Sequence, residues 1–293
     1  MNECPFFSVI IPAYNCSQSI EATLDSISQQ TFNNFELIIV DDGSTDNTRQ
    51  VIADHPLSSK YIYQYQSNSG VCVARNNGAG IAKGNYLIFL DSDDLVKNTW
   101  LVDFYKVLIN SDSDISFCLI QRKALNGDIK IVRPYTTDNG FGYGLFLSGA
   151  FTIRRQLFFD IGEYEENLKY GENTELSFRI KERNIKADFV NKPNLIYNQS
   201  ITGGSKNLQN MIDSNKYLLR VHKHWFETRP KSKILFLRNT GVACIKLNRL
   251  KEGKAFLKKA WTQNPFSIKG LFRFVISNIP FLANKVWKTE DWQ

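Results

Sequence analysis

The stretch Tyr86-Leu-Ile-Phe-Leu-Asp-Ser-Asp-Asp-Leu95 places an apolar run directly before three carboxylates, Asp91, Asp93 and Asp94. The apolar run predicts a buried strand, and carboxylates this close together raise one another's pKa. A divalent cation that also holds a phosphorylated ligand would neutralise them, because hard cations prefer carboxylate oxygens. The alternative is a solvated turn that caps the following helix.

Two earlier apolar runs, residues 7–11 and 35–40, also end in polar loops, and a predicted helix follows each run. A third strand, at residues 61–66, alternates polar and apolar residues and is predicted to lie nearer an edge. Strands and helices that alternate in this way predict an α/β fold, with a mostly parallel sheet covered by helices on both faces. Ligands bind beyond the carboxyl ends of such strands, so the strand-end loops predict one shared crevice.

The pattern loosens after residue 95. We expect helices at residues 100–109 and 171–183, and an antiparallel pair of strands at 114–123 and 129–133 around the turn Asn126-Gly-Asp128. The glycine- and aromatic-rich stretch 140–149 is typical of a mobile lid or an acceptor-facing wall. Thr202-Gly-Gly-Ser205 predicts a flexible junction, so we expect a catalytic domain at residues 1–205 and a helical region at 206–293.

The charge is distributed unevenly between these two parts. Residues 206–293 hold 18 Lys and Arg against 5 Asp and Glu, a net charge of +13, whereas residues 1–205 hold 18 against 24, a net charge of −6. A basic, aromatic-rich helical region on an acidic body indicates an anionic membrane surface, or another polyanionic partner, rather than nucleic acid. The alternative is that its last helix packs on its own domain and exposes a solvated basic face.

Cysteine usage and hydropathy suggest a compartment. The five cysteines form no C-x-x-C pair, and an odd number fits a reducing environment. No basic leader precedes the first apolar run, and no apolar run approaches the ~20 residues of a membrane span. We therefore expect a cytoplasmic protein, peripheral on the inner face of the cytoplasmic membrane.

Five motifs in order resemble the inverting family 2 glycosyltransferases, which have a GT-A type Rossmann-like sheet and transfer a sugar from a nucleotide donor. The resemblance covers roughly residues 6–205, and the motifs are Ser8-Val-Ile-Ile-Pro-Ala-Tyr-Asn15, Val40-Asp-Asp-Gly-Ser-Thr-Asp46, Asn68-x-Gly-x-x-x-Ala-Arg-Asn-x-Gly78, Gly84-x-Tyr-x-x-Phe-Leu-Asp-Ser-Asp-Asp94 and Gly171-Glu-Asn-Thr-Glu175. It implies a UDP-hexose or UDP-N-acetylhexosamine donor and an acceptor hydroxyl. The basic, aromatic-rich region 206–293 suggests that this acceptor is a lipid-linked or surface polysaccharide glycan.

The resemblance also implies roles for individual residues. Asp41 would accept a hydrogen bond from the base, and Asp93 would bridge Mn²⁺ or Mg²⁺ to the diphosphate. The other donor-binding residues that it implies are Pro12, Tyr14, Arg75, Asp91 and Ser92. For Arg75, a salt bridge to Asp41 or Asp91 is the alternative to a contact with the nucleotide or diphosphate.

The catalytic base is where this chain departs from the family pattern. The family usually has Glu-Asp where this chain has Glu172-Asn173, and the Asp is the usual base. An amide does not accept the acceptor's proton, so we expect Glu172 to act as the base, with Glu175 and Asp94 as alternatives.

Three other functions remain to be weighed. A protein that binds nucleotide sugar with impaired catalysis would explain Asn173, and a nucleotidyltransferase would use the same nucleotide and metal contacts. A nucleic-acid-binding protein would explain the basic region but not the acidic crevice. Pro12-Ala-Tyr-Asn15 stands where a dinucleotide-binding enzyme would have its glycine motif, and the chain contains no P-loop motif.

Overall fold

The computed structural model describes residues 4–124, 126–133, 146–183, 185–198, 207–279 and 286–287. The chain forms two compact units, one of residues 1–167 and 172–200 and the other of residues 168–171 and 201–293. The predicted junction at 202–205 and most of the predicted lid at 140–149 lie outside the described residues. The predicted boundary at residue 205 therefore stays a prediction.

The first part of the sheet follows the predicted alternation of strands and helices. Its elements are β1 (Phe7–Ala13), α1 (Ile20–Ser28), β2 (Phe35–Asp41), α2 (Thr48–Asp54), β3 (Tyr61–Tyr65), α3 (Val71–Ile81) and β4 (Tyr86–Phe89). The pairs β1–β2, β2–β3 and β1–β4 are parallel. Strand β3 lies at the end of the strand order, as its alternating sequence predicted.

The second part of the sheet is mixed. Its elements are β5 (Leu95–Val96), α4 (Trp100–Ser111), β6 (Ile115–Lys123), β7 (Ile129–Val132), β8 (Phe151–Arg154), α5 (Arg155–Asp160), α6 (Glu172–Lys181) and β9 (Ala187–Asn198). Within the described ranges the strand order is β3-β2-β1-β4-β8-β6-β9-β5, with β7 paired to β6. The antiparallel β6–β7 pair was predicted, whereas β5, β8 and β9 were not.

Strand β1 continues through Pro12 to Ala13, although the sequence predicted that it would end at Pro12. Strand β4 ends opposite Ile10, while the pairing with β2 continues to Ala13 opposite Asp41. On the side of β4, Pro12 therefore faces no strand whose carbonyl groups need an N–H donor, so a proline is tolerated there.

Helices cover both faces of the sheet. Alternate residues of β1, such as Val9 and Ile11, belong to the main hydrophobic core together with residues of α1 and α4. Ile10 points to the other face, where a Cβ added to Gly78 of α3 would lie 2.5 Å from its Cγ2. Successive side chains of a strand alternate between faces, so this contact places α3 opposite α1 and α4.

The other unit is helical, as predicted, with elements α7 (Leu208–Val221), α8 (Lys223–Glu227), α9 (Pro230–Lys246), α10 (Leu250–Thr262) and α11 (Ile268–Ser277). Helices α9 and α10 pack closely because two glycines meet: a Cβ on Gly253 would lie 2.8 Å from the carbonyl oxygen of Gly241. No helix in the described part of the chain is both long and apolar enough to cross a membrane.

Candidate active site

The polar loops after β1, β2 and β4 leave the sheet at the same edge. The register pairs Ala13 with Asp41, the last residues of β1 and β2. The backbone N–H of Asp42 donates to the carbonyl oxygen of Ala13 at 2.8 Å, and that of Leu90 donates to Ile10 at 2.9 Å. Asp91 therefore enters its loop beside β1, the strand whose last residue pairs with the last residue of β2.

The loop after β1 is tied to the loop after β2 and holds Tyr14 at the surface. Asn15 has a left-handed backbone (φ 47°), and its Oδ1 accepts from the backbone N–H of Thr45 at 2.8 Å. The Oγ of Ser44 accepts from the N–H of Asn15 at 3.1 Å. Tyr14 is 50% exposed, whereas Pro12 is buried within β1. Tyr14 is thus free to stack on a ligand, and the side chain of Pro12 lies beneath the surface.

Asp46 fastens the same two loops by charge-assisted hydrogen bonds. Its Oδ2 accepts from the N–H of Ser17 at 3.2 Å, and its Oδ1 accepts from the N–H of Thr48 at 3.0 Å. Burial is the largest single influence and raises the pKa of Asp46, but hydrogen bonds from the side chains and backbone of Thr48 and Ser17 together outweigh it and lower the pKa to about 2. The ionised carboxylate is therefore part of the loop's structure.

Asp41 and Asp42 are adjacent and buried, but they have different partners. Asp41 accepts from the N–H of Ser44 at 2.8 Å and from the hydroxyl of Tyr63 at 2.6 Å. Burial, and then the bond to Asp41, raise the pKa of Tyr63. Asp42 accepts from the N–H of Gly70 at 2.8 Å, which holds the loop before α3. Both carboxylates therefore hold backbone of neighbouring loops, Asp41 at the end of β2 and Asp42 before α3.

Arg75 is the centre of a buried polar group that we call the Arg75 cluster, formed by Arg75, Asp91, Ser148, Tyr164, Glu172 and Asn173. Arg75 is 2% exposed, and its Nη2 donates to Asp91 Oδ1 at 2.6 Å and to Ser148 Oγ at 2.9 Å. Its Nη1 donates to Glu172 Oε1 at 3.0 Å. The pair with Asp91 is one of the alternatives that the sequence left open for Arg75.

Asn173 completes the Arg75 cluster as a neutral group. Its Oδ1 accepts from the hydroxyl of Tyr164 at 2.8 Å, and its Nδ2 donates to Glu172 Oε1 at 3.2 Å. Two groups therefore hold Glu172 Oε1, whereas Glu172 Oε2 has no hydrogen bond to any described residue. The Glu172 side chain is 16% exposed.

The loop after β4 presents its three acids differently. Asp93 is exposed, but partial desolvation and then the charge of Asp91 raise its pKa. Asp94 is 1% exposed, and its Oδ2 has no hydrogen-bond partner in the described structure. Burial, and then the charges of Asp91 and Asp93, raise the pKa of Asp94 well above its usual value. The surroundings of the loop therefore oppose ionisation of Asp93 and Asp94, while Asp91 is paired with Arg75.

Helix α1 and the end of β9 hold the backbone of this acidic loop by hydrogen bonds. The Thr23 hydroxyl donates to the carbonyl oxygens of Ser92 and Asp94, at 3.0 Å in each case. The side-chain amide of Asn198, at the end of β9, donates to the carbonyl oxygen of Asp93 at 3.1 Å. Ser92 is partly exposed between the two acids. The loop backbone is thus fixed, and Asp93 is the exposed carboxylate of the loop.

The sequence missed Ser148 and Tyr164, which contact Arg75 and Asn173. The guanidinium carbon of Arg75 lies 5.2 Å from the centre of the Tyr164 ring, which is almost fully buried. The only local signal for Tyr164 is one aromatic residue in the charged stretch 163–166. Ser148 lies in the stretch 140–149 that was predicted as a lid or acceptor-facing wall, but no signal in that stretch distinguished the serine.

Comparison with known proteins agrees with this geometry. The family model for glycosyl transferase family 2 matches residues 8–162. Glycosyltransferase GlyA of Streptococcus pneumoniae serotype 4 is 36% identical over 110 residues, which are 37% of this chain and 16% of that protein. UDP-Glc:alpha-D-GlcNAc-diphosphoundecaprenol beta-1,3-glucosyltransferase WfaP of Escherichia coli is 46% identical over 89 residues, which are 30% of this chain and 35% of that protein.

A solved structure shares the fold. It is the crystal structure of S. aureus TarS 1–349 in complex with UDP-GlcNAc, with a TM-score of 0.61 and 19% identity, covering 98% of this chain and 93% of that one. Another crystal structure of TarS 1–349 contains UDP. Because the family model spans more than half of the sequence, this chain belongs to glycosyl transferase family 2.

Proposed function

We propose that this chain is a metal-dependent, inverting glycosyltransferase that moves a hexose or N-acetylhexosamine from a UDP-sugar to an acceptor hydroxyl. The observation that carries the proposal is the position of Glu172. Its Oε1 is held by Arg75 and Asn173, its Oε2 has no hydrogen bond to any described residue, and Arg75 also binds Asp91 of the acidic loop. Membership of glycosyl transferase family 2 supports the same reaction class.

A uridine nucleotide is the donor that the comparisons favour. TarS, which shares the fold, has been crystallised with UDP and with UDP-GlcNAc, and WfaP is named for a UDP-Glc donor. In this chain, the half-exposed ring of Tyr14 would stack on the base. Asp41 lies at the end of β2, and its carboxylate retains lone pairs that could accept from a base N–H.

Asp91 and Asp93 fit a divalent cation that shares its coordination with the donor. Desolvation, and then the charge of Asp91, raise the pKa of Asp93, which has no ion pair with any described residue, whereas Asp91 is paired with Arg75. Among the described residues, no three His, Cys, Asp or Glu side chains are grouped to hold a metal ion. Mg²⁺ and Mn²⁺ are often held by one or two carboxylates together with phosphate oxygens, and when bound they neutralise a departing diphosphate.

The Arg75 cluster would position the base. Glu172 Oε2 would take the proton of the acceptor hydroxyl as the acceptor oxygen bonds to the anomeric carbon. The bond from that carbon to the diphosphate oxygen breaks on the opposite face, so the configuration inverts and the nucleoside diphosphate leaves. Arg75 would then act as a positioning residue, because both of its terminal nitrogens are already bonded to the protein.

Release of UDP from a panel of UDP-sugars with Mn²⁺ tests this proposal. We expect Glu172→Gln to lower kcat by roughly 100-fold or more, the usual contribution of a general base, with little change in the donor KM. Wild-type turnover in Glu172→Gln would remove Glu172 as the base. Glu182→Gln, an exposed residue just after α6, is the matched control and should keep full activity.

Asn173→Asp separates the two possible bases. In this chain a carboxylate at position 173 would lie beside Glu172 Oε1, and the repulsion would raise one pKa of the pair. We therefore expect lower turnover at neutral pH and a pH optimum shifted upward. A gain in turnover would instead identify position 173 as the position of the base, with the natural chain impaired there.

The alternatives predict different products. A nucleotidyltransferase would release pyrophosphate from a nucleoside triphosphate, and a protein that only binds nucleotide sugar would bind UDP-sugar without releasing UDP. For the acceptor we propose a lipid-linked or surface polysaccharide glycan, reached at the inner face of the cytoplasmic membrane. The net charge of +13 in residues 206–293 supports that location.

A further inference from the structure

Helix α11 exposes an apolar face although its other side is packed. Ile268, Leu271, Phe272 and Val275 follow the spacing i, i+3, i+4, i+7, which places them on one side of a helix. Ile268 is 83% exposed and Phe272 62%, and Leu271 and Val275 are exposed as well. Phe266, in the loop before the helix, is 95% exposed.

The helix is anchored on its opposite side, so the exposure does not come from a detached segment. Ile276 lies in a buried cluster with Val242, Ile245, Leu257 and Trp287. The Phe274 ring stacks on Trp261 of α10, with 5.6 Å between ring centres and 7° between their planes. Ser267 caps the helix by accepting from the N–H of Gly270 at 3.1 Å. The exposed face is therefore held in a fixed place within its unit.

The chain that carries this face is basic in sequence, up to Glu290 and Asp291 near its end. Residues 253–289 contain seven Lys or Arg and no Asp or Glu. Lys258 and Lys259 of α10 and Lys269 of α11 are exposed, and Arg273 is partly exposed. A second copy of the chain on this face would bring like charges together, which is unfavourable. Anionic lipid headgroups would meet the cations while the acyl chains cover the aromatic residues.

We propose that the α11 face, formed by Phe266, Ile268, Leu271, Phe272 and Val275, inserts into the interface of an anionic bilayer. Lys269 and Arg273 lie at the headgroup level beside it. The inference rests on the proposed membrane association and assigns it to one helix face. It does not depend on the transfer reaction, because vesicle binding is measured without donor or acceptor.

The test is sedimentation of the full chain with vesicles of phosphatidylcholine alone or mixed with phosphatidylglycerol. We expect the wild type to bind the anionic vesicles, and Phe266→Ser/Phe272→Ser to bind roughly tenfold or more weakly, since burial of two aromatic rings is lost. The matched control is Ile129→Ser/Ile131→Ser, which removes two exposed apolar residues of β7 and should bind like the wild type.

A second variant separates the contribution of charge to vesicle binding from that of apolar insertion. We expect Lys269→Gln/Arg273→Gln to weaken binding by about tenfold at low salt, since each cation near an anionic surface contributes attraction, and by less at high salt. Equal binding of the wild type and the phenylalanine variant overturns the α11 assignment and leaves the broader association by residues 206–293 standing. No vesicle binding by the wild type overturns both.

A measurement without lipid tests the alternative that a second copy of the chain covers the α11 face. If the wild type forms a concentration-dependent dimer in sedimentation velocity that Phe266→Ser/Phe272→Ser abolishes, the face is an interface between copies and the lipid proposal is wrong. UDP release by each variant is measured in parallel with a soluble acceptor. We expect it to be unchanged, so a failure of the transfer reaction remains distinguishable from a failure of docking.

Discussion

Arg75 and Glu172 lie 97 positions apart in the sequence, and their side chains form an ion pair in which Nη1 is 3.0 Å from Oε1. The same guanidinium binds Asp91 at 2.6 Å. One arginine therefore links the acid after β4 to the first residue of α6, and so sets the distance between the proposed metal loop and the proposed base.

The first prediction concerns this link. Arg75→Lys keeps the charge but loses the planar fork that binds two carboxylates at once. We expect kcat to fall about 10- to 100-fold, because a small displacement of a catalytic group is costly, while the donor KM changes less. The control is Arg154→Lys. Arg154 is partly exposed and pairs with Asp112 and Asp114, so this substitution should change the free energy of unfolding by less than about 1 kcal/mol. An unchanged kcat in Arg75→Lys contradicts the positioning role.

The second prediction concerns the acidic loop. Asp93→Asn removes the exposed carboxylate, so we expect the affinity for UDP in Mn²⁺ to fall roughly tenfold or more, as the loss of a metal contact implies. With a chelator present the variant and the wild type should bind UDP equally weakly. Isothermal titration measures both conditions, with the exposed Asp54→Asn as control. Equal affinity of variant and wild type in Mn²⁺ counts against Asp93 as a metal ligand.

The third prediction concerns the packing of α3 on the sheet. A Cβ at position 78 would lie 2.5 Å from Ile10 Cγ2 and 3.2 Å from Val40 Cγ2, whereas one at position 80 would meet nothing within 4 Å. We expect Gly78→Ala to lower the free energy of unfolding by roughly 1–3 kcal/mol through overpacking. Gly80→Ala in the same helix should be neutral or stabilising by up to about 1 kcal/mol. Urea denaturation measures the free energy of unfolding of both variants. Equal values would show that the sheet accommodates the added methyl group without loss of stability.

The fourth prediction concerns pH. The pKa of Asp46 is lowered to about 2 from its usual 3.8, so its ionised form favours the folded state. That stabilisation is present above pH 3.8 and is lost as the pH falls through 2. We expect Asp46→Asn to lower Tm at neutral pH, with a difference from the wild type that narrows toward pH 3. If the difference in Tm between the two proteins does not change with pH, Asp46 stabilises the fold through hydrogen bonds that do not depend on its ionisation and that Asn cannot form.

The sequence by itself determined the parallel first half of the sheet and the family. The apolar runs at 7–11, 35–40 and 86–90 are local patterns, and each run is followed by polar residues that leave the sheet at one edge. Because periodicity and turn chemistry act over a few residues, they can be read without the fold. The charge of residues 206–293 could be counted in the same way.

Only the tertiary structure decided which of these groups meet. Strand β9 pairs with both β6 and β5, and α6 brings Glu172 to Arg75, and neither contact has a signature in the neighbouring sequence. The same holds for Asp42, which resembles Asp41 in sequence but holds the loop before α3. It also holds for α11, whose amphipathic sequence does not say which face is covered. Contacts between distant residues depend on how elements pack, and local patterns do not encode that packing.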